Sequence, residues 1–232
     1  MTTSREPGGP PPPALLFDLD GTLIDSVYQH VLAWREALSA FGVDVPIWRI
    51  HRRIGMSGGL FVTALRREIA KNLTDTQLRE LTAAHAEAYA RLGGSVRPLP
   101  GARELLATLT EQRVAWAIAT SGQTVSARPA LELLGLPDDT PMVTRDQVRH
   151  AKPDPDLFLA AAGLVEVDIR QAIVVGDSVW DLLAARRAGS LGVGLLSGGY
   201  GSDELERAGA YRVYLDPADL LAHLDEVGIR QP

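Results

Sequence analysis

The chain has 232 residues, of which 46% are apolar and 22% are charged. This size and composition suit a globular protein with one large domain, or one domain that carries a smaller insert. The formal net charge of −6 provides no overall basic field, and we therefore expect no nucleic-acid partner. The absence of cysteine excludes disulfides, thiolate nucleophiles and zinc–thiolate sites, and it favours a reducing, cytoplasmic location.

The N-terminal residues 1–13 are rich in proline and glycine and lack an apolar signal core. We expect a disordered leader there. Because no later segment approaches the length of a membrane span, we expect no membrane partner. The first ordered element is predicted at Ala14–Leu19, since a short apolar run is typical of a buried strand. The acids Asp18 and Asp20 stand at its end.

Helical periodicity dominates residues 25–97. Apolar residues recur at steps of four and three over Ser26–Phe41, where Ser26 is placed to cap the helix. A second stripe follows a capping box at Thr74, and residues 60–69 also have a helical pattern. We predict an inserted all-helical cap domain at 25–97, with no strand inside it.

Strand-like and helical stretches alternate beyond the linker Pro98–Gly101. This alternation predicts an α/β fold with a doubly wound parallel sheet. Residues 14–24 and 98–232 would then form a Rossmann-like catalytic core, with the helical segment inserted after the first strand. Strands are predicted at 114–120, 172–177, 191–196 and 212–215, and helices at 102–111, 125–134, 156–162, 179–188 and 216–226.

Polar residues stand at the ends of the predicted strands, and ligands bind beyond these ends in an open parallel sheet. Carboxylates brought together there repel one another unless a cation lies among them. An all-oxygen cluster without His or Cys, with positions left for water and phosphate, favours Mg²⁺. The residues expected in this crevice are Asp18, Asp20, Thr120, Ser121, Lys152, Asp177 and Asp181.

Two of these carboxylates are suited to phosphate ester hydrolysis. Asp18 can attack phosphorus once a metal ion and Lys152 neutralise the phosphate oxygens and hold them in line. Asp20 would protonate the leaving alcohol and later deprotonate the water that cleaves the aspartyl-phosphate. The sequence thus predicts a nucleophile and a general acid/base two residues apart.

The phosphate group would need further hydrogen-bond donors. A hydroxyl group of Thr120 or Ser121 can donate to a phosphate oxygen, and the choice between the two stays open. Backbone amides near Gly21 and Gly122 are expected to form an anion nest. Together with the ammonium group of Lys152, these donors would complete the phosphate site.

At these positions the sequence resembles the haloacid dehalogenase superfamily of phosphatases. The four motifs occur in order as DLDGTLIDS, ATSG, the lysine of HAKPDPDLF, and VGDSVWDLLAARRAG, and the match spans nearly the whole chain. The resemblance implies a Rossmann-like core with a helical cap that opens and closes. It also implies Mg²⁺ held by the Asp18 side chain, the Asp20 carbonyl and Asp177, with Asp181 supporting the water shell of the metal or Lys152.

The same resemblance narrows the chemistry. Members that remove halogen lack the second aspartate of the first motif, and phosphonate-cleaving members usually carry alanine there, whereas this chain has Asp20. The segment LLSGGYGSDELERAGA is similar to phosphoglycolate phosphatases and their relatives, which favours a small phosphorylated metabolite. The alternatives are a β-phosphoglucomutase-like phosphotransferase and a catalytically retired binding protein. The sequence leaves the oligomeric state open between a monomer and a homodimer.

Specificity in this superfamily comes from a cap loop that dips into the site, and residues 51–59, HRRIGMSGG, are the candidate. Arg52, Arg53 or Ser57 would contact the substrate. The alternative is a basic helix end followed by a Gly-rich turn, because arginines near a helix C-terminus are favourable in any case. The side chains that we expect to pack rather than bind a ligand are Trp34, His85 and Trp180.

Overall fold

The centre of the computed structural model is a six-stranded parallel sheet, and the described residues are 12–67 and 73–230. The strands are β1 (Ala14–Phe17), β2 (Ile24–Asp25), β3 (Arg97–Pro98), β4 (Trp116–Ala119), β5 (Met142–Val143), β6 (Ala172–Gly176), β7 (Leu191–Leu195) and β8 (Ala210–Tyr214). The sheet order is β5–β4–β1–β6–β7–β8, and every neighbouring pair is parallel. The predicted doubly wound α/β fold is confirmed.

Ten α-helices surround this sheet or lie in the insert, within the described residues. They are α1 (Val27–Ala40), α2 (Ile47–His51), α3 (Gly58–Arg66), α4 (Asp75–Leu92), α5 (Ala102–Glu111), α6 (Thr124–Leu134), α7 (Asp156–Leu164), α8 (Val179–Ala188), α9 (Ser202–Ala208) and α10 (Pro217–Ala222). The capping box of Thr74 at the start of α4 is confirmed. None of these helices combines the length and apolar character that a bilayer-spanning segment needs.

Two apolar layers cover the faces of the sheet. One contains residues of α5, α6 and α10 packed on side chains such as Phe17 and Val175. The other contains residues of α7 and α8 packed on side chains such as Leu16 and Val174. Because successive side chains of a strand point to opposite faces, the continuous apolar runs of β1 and β6 can fill both layers.

The helices α1 to α4 share a separate apolar core. Trp34, Leu38, Phe61 and Leu81 are among its buried side chains, and the segment leaves and rejoins the sheet through the short antiparallel pair of β2 and β3. We predicted no strand in residues 25–97, and this two-residue ladder at the two ends is the exception. The ladder forms because the two ends of the insert lie side by side. The periodicity of apolar residues along the sequence does not reveal such a contact. The cap boundaries at 25 and 97 stay a prediction.

The remaining differences concern short elements. The sequence patterns do not predict α2, β5 or α9. β5 has two residues, and the single buried residue of α9 is Leu205. Elements with so few buried residues produce no periodic apolar pattern. The helix predicted at 216–226 is α10 followed by a 3₁₀ turn. The predicted helix 60–69 is observed as α3, and its last two residues lie outside the described part, as do residues 1–11 of the predicted leader.

Candidate active site

The ends of three neighbouring strands bring polar side chains together at one edge of the sheet. Asp18 follows β1, Thr120 follows β4, and Asp177 follows β6. All three are buried, because helices on both faces and the cap above enclose this edge. Since β1 lies between β4 and β6, adjacency in the sheet explains why residues far apart in sequence meet.

Lys152 is fully buried beneath this edge. Its Nζ atom contacts a carboxylate oxygen of Asp18 and lies 2.8 Å from Oδ1 of Asp181. Burial by itself lowers the pKa of a lysine, but the two carboxylates outweigh it and raise the pKa of Lys152 to about 12. The lysine therefore carries its positive charge directly beside Asp18.

Asp181 is held on both of its oxygens. Besides the contact with Lys152, its Oδ2 atom accepts hydrogen bonds from the amide and the hydroxyl group of Ser178, at 3.1 and 2.5 Å. A Cβ atom at Gly176 would overlap the Asp181 side chain. Asp181 therefore contacts Lys152, and its role in supporting this lysine or the water shell of a metal ion stays a prediction.

A cluster of carboxylates makes this edge suitable for a cation. Ligand oxygens of Asp18, Asp177 and Asp181 all lie within 4.8 Å of one another. Burial raises the pKa of both Asp18 and Asp177 above the ordinary range, and Asp181 raises them further. A bound cation would remove this penalty, and hard oxygen ligands fit Mg²⁺.

The position of Asp177 is set by its surroundings. Thr22 donates its hydroxyl hydrogen to Oδ1 of Asp177 at 3.1 Å. Gly21 and Gly198 flank the same carboxylate so closely that a Cβ atom at either position would overlap it. These two glycines let the backbone lie directly against the Asp177 carboxylate, and any other residue at either position would have to displace it.

Asp20 is held by residues of the insert. Its Oδ1 atom accepts a hydrogen bond from the Ser26 hydroxyl group at 2.6 Å and lies 3.2 Å from Nε2 of His30. Burial raises the pKa of Asp20, but the charge of His30 and these hydrogen bonds outweigh it and lower the pKa below its ordinary value. Ser26 is the N-cap residue of α1, as expected, but no helix amide donates to its hydroxyl group, which donates to Asp20 instead.

His30 was not among the predicted site residues. Its Nδ1 atom lies 3.2 Å from Nε2 of His85, and its ring stacks on Tyr89 with 3.8 Å between centroids. His85 in turn stacks on Trp34 at 4.0 Å, so that it is linked to Asp20 through His30 rather than being only a packing residue. The sequence contained a signal for this contact, because the polar residues 26 and 30 are four positions apart, a spacing that places two side chains on the same face of a helix.

The two candidate hydroxyl groups differ in their surroundings. Thr120 is buried, and its Oγ1 atom accepts the amide hydrogen of Gly122 at 2.9 Å. A threonine that accepts in this way still has its own hydrogen to donate. Ser121 instead donates to the carbonyl oxygen of Gly55 in the insert at 2.9 Å. The geometry therefore favours Thr120 for a phosphate oxygen.

The amides of the two glycines near the predicted anion nest have partners within the protein. The Gly122 amide donates to Thr120, and the Gly21 amide donates to the carbonyl oxygen of Ile24 at 2.8 Å. A nest formed by amides near these glycines stays a prediction. Gly21 has a φ of 82°, and this left-handed conformation turns its amide into the tight loop that follows β1.

Residues 51–57, here called the docking loop, lie against the core. Nε2 of His51 is 2.8 Å from the carbonyl oxygen of Gly198, and the Arg52 carbonyl oxygen accepts hydrogen bonds from Trp180 and Tyr200 at 3.3 and 3.1 Å. Trp180, expected to pack between helix and sheet, thus contacts the insert.

The predicted specificity residues of this loop have separate roles. The guanidinium group of Arg52 pairs with Glu204 and lies over the Tyr200 ring at 4.1 Å, which directs it away from the substrate side. Arg53 lines the cavity described below. Ser57 lines it as well, and its hydroxyl oxygen caps α3 by accepting the Leu60 amide at 3.4 Å.

A cavity of about 970 Å³ separates the insert from the core. Asp18, Asp20 and Thr120 lie at one end of it, and residues of the docking loop and of α1, α3, α4 and α6 are among those that form the remaining walls. We call this cavity the chamber. It connects the acidic cluster to a space large enough for an organic molecule.

Comparison with protein families now identifies the chain's relatives. The sequence model of the haloacid dehalogenase-like hydrolase family matches residues 12–189. This range contains the acidic cluster, Lys152 and the whole insert. This chain belongs to the haloacid dehalogenase-like hydrolases. The family predicted from the four motifs is therefore confirmed.

Several relatives of this chain are named phosphatases. Hexitol phosphatase A of Escherichia coli is 34% identical over 75% of this chain and 78% of its own length. A phosphoglycolate phosphatase of Rhodospirillum rubrum is 33% identical over 95% of this chain and 93% of its own length. A hydrolase from Pseudomonas syringae, known as a crystal structure, is 55% identical with a TM-score of 0.90 and covers 92% of this chain and 98% of its own. The chain is a phosphatase of this family.

Proposed function

We propose that this phosphatase hydrolyses a small organic phosphate monoester, depends on Mg²⁺, and forms an aspartyl-phosphate on Asp18. The observation that carries the proposal is the buried contact of Lys152 with Asp18, beside Asp20 and at the end of the chamber. A catalytically retired binding protein would have no reason to keep a nucleophile, a lysine and a second aspartate in this arrangement.

The first half of the reaction uses Asp18 and Asp20. A carboxylate oxygen of Asp18 attacks phosphorus, and the bond from phosphorus to the ester oxygen breaks. Asp20 gives its proton to the departing oxygen, because the negative charge of a bound phosphate raises the pKa of a neighbouring carboxyl group. The products of this half are the free alcohol and an aspartyl-phosphate.

Water completes the reaction. The Asp20 carboxylate accepts a proton from a water molecule that attacks the phosphorus of the aspartyl-phosphate, and inorganic phosphate leaves Asp18. Ser26 and His30 hold Asp20 from one side at 2.6 and 3.2 Å, and this orients the carboxylate for both proton transfers. Asp20 regains in this half the proton that it gave in the first.

The phosphate oxygens need positive charge and hydrogen-bond donors. We assign Lys152 and the hydroxyl group of Thr120 to this role, because Lys152 contacts Asp18 and Thr120 lines the chamber at the end of the strand next to β1. Asp18, the Asp20 carbonyl oxygen and Asp177 would hold Mg²⁺, with Asp181 keeping Lys152 in place. A bound Mg²⁺ supplies charge neutralisation for the phosphate oxygens.

Phosphate release from a substrate panel tests the proposal. The panel contains phosphoglycolate, hexitol and sugar phosphates, nucleotides and pyrophosphate, each with Mg²⁺ or a chelator. We expect Mg²⁺-dependent release by the wild type and background release by Asp18→Asn, which keeps the shape of the side chain but not its nucleophile. Full activity of Asp18→Asn in clean protein would refute the assignment of the nucleophile. Conversion of one sugar phosphate to another without free phosphate would favour a phosphomutase.

A further inference from the structure

The chamber extends far beyond the reaction centre. Its volume is about 970 Å³, at the upper end of the roughly 300–1,000 Å³ that pockets for drug-sized ligands occupy. The phosphate and its protein ligands fill only the end at Asp18. A two-carbon acid would leave most of the remaining space to water.

The walls beyond the reaction centre combine many apolar side chains with the charged side chains of Arg53, Arg79, Arg145 and Asp146. Helices α3 and α4 and the docking loop form one wall, and α6 forms the other. Apolar side chains that line the space are Ile54, Met56, Phe61, Val62, Val125 and Pro129. Because both walls contribute, an occupant would meet apolar surface from the insert and the core at once.

Hydroxyl groups also line these walls, but three of them donate to carbonyl oxygens of their own helical turns. The bonds run from Thr63 to Gly59 at 2.8 Å, from Thr82 to Leu78 at 3.0 Å and from Ser126 to Gln123 at 2.9 Å. A sugar or polyol loses hydrogen bonds to water when it is buried, and it needs protein partners to replace them. The hydrogens of these three groups are already used within the protein. The charged side chains of the lining also have protein partners, since Arg79 donates to Thr76, Arg145 donates to the Val148 carbonyl oxygen and Asp146 accepts from Thr144.

We propose that the chamber accepts a phosphate monoester whose alcohol part is bulky and predominantly apolar. This inference rests on the proposed phosphatase function and adds the class of substrate. The apolar walls favour burial of an apolar group, whereas the hydroxyl groups directed into the backbone provide little compensation for a polyol. The phosphate would lie at Asp18 and the apolar part between α4 and α6.

Three primary alkyl phosphates with Mg²⁺ test the substrate class, and their leaving groups are chemically alike. They are 2-(1-naphthyl)ethyl phosphate, glycerol 3-phosphate and sorbitol 6-phosphate. We expect kcat/KM for the naphthylethyl ester to exceed that of both polyol esters at least tenfold. Equal or higher kcat/KM for a polyol ester would overturn this inference and leave the proposed function intact. No release from any of the three would count against both.

A pair of alanines on α4 provides matched variants. Ala86 and Ala83 are both exposed, but of the two Ala86 lines the chamber. Ala86→Trp should lower the ratio of kcat/KM for the naphthylethyl ester to that for glycerol 3-phosphate at least fivefold, because the indole occupies space that the naphthyl group needs. Ala83→Trp should keep the wild-type ratio. An unchanged ratio in Ala86→Trp would overturn the proposal.

Discussion

His85 lies between two other rings, His30 and Trp34, at the inner face of the insert. Burial lowers the pKa of His85 to about 3, the charge of His30 adds to this effect, and Asp20 opposes it. The folded protein therefore holds His85 as a neutral imidazole over most of the pH range. The neutral imidazole of His85 can form a hydrogen bond with His30, and His30 in turn supports the position of Asp20.

Acid should destabilise the protein through His85. Between about pH 6.5 and 3 the unfolded chain binds a proton that folded His85 does not. Stability is therefore complete above pH 6.5 and falls as the pH is lowered, with a slope that approaches about 1.4 kcal/mol per pH unit. His85→Gln keeps a hydrogen-bonding side chain and does not titrate. Urea unfolding at pH 6.5 and 4.5 should show that the wild type loses about 2 kcal/mol more than the variant. Equal losses would contradict this assignment.

At the scale of elements, the docking loop is where the insert and the core meet. Arg52 pairs with Glu204 of α9 and covers Tyr200, while the carbonyl oxygen of Gly55 accepts from Ser121. These contacts combine one ion pair, one cation–π contact and several hydrogen bonds, each weak alone. They hold the docking loop against the core in this structure, and the opening and closing of the cap stays a prediction.

Loss of Arg52 should loosen the loop rather than remove a substrate contact. In Arg52→Ala the ion pair and the cation–π contact disappear, together worth about 1 kcal/mol at a half-exposed site. Hydrogen exchange of the amides of residues 52–57 in the substrate-free protein should accelerate about fivefold. Arg91→Ala is the matched control, because Arg91 pairs with Glu36 inside the insert. Unchanged exchange together with a higher KM would instead favour a direct contact of Arg52 with substrate.

For the whole molecule, we expect the acidic cluster to couple stability to the binding of a cation. Asp18, Asp177 and Asp181 approach one another around one buried positive side chain, Lys152. A ligand that binds only the folded state stabilises it by about 2.7 kcal/mol at 100 times its Kd. The cluster therefore predicts a melting temperature that rises with Mg²⁺.

The variant Asp177→Asn tests the effect of Mg²⁺ on the melting temperature without a measurement of activity. We expect the variant without Mg²⁺ to be at least as stable as the wild type, because one carboxylate of a repelling cluster is removed and Thr22 can still donate to the amide oxygen. Its melting temperature should respond little to Mg²⁺. Asp44→Asn, at an exposed residue of the insert, should respond as the wild type does. An equal response of Asp177→Asn would exclude Asp177 as a ligand.

Much of this molecule follows from its sequence alone. The apolar runs of β1 and β6 and the amphipathic patterns of α5 and α8 predict the doubly wound sheet, because period and length distinguish buried strands from helices. Asp18, Thr120 and Asp177 follow from the same logic, since the strand ends of a parallel sheet share one edge. The insert follows from its uniformly helical period.

Tertiary structure decided the rest. The bond from Ser26 to Asp20, the link from His30 to His85 and the pair of Arg52 with Glu204 join residues on separate elements. A local pattern records which face of a helix is apolar, but it does not record which polar group lies opposite. The amides of Gly21 and Gly122 and the shape of the chamber depend in the same way on how the insert folds back onto the sheet, because three-dimensional packing alone determines which partners are within hydrogen-bonding distance.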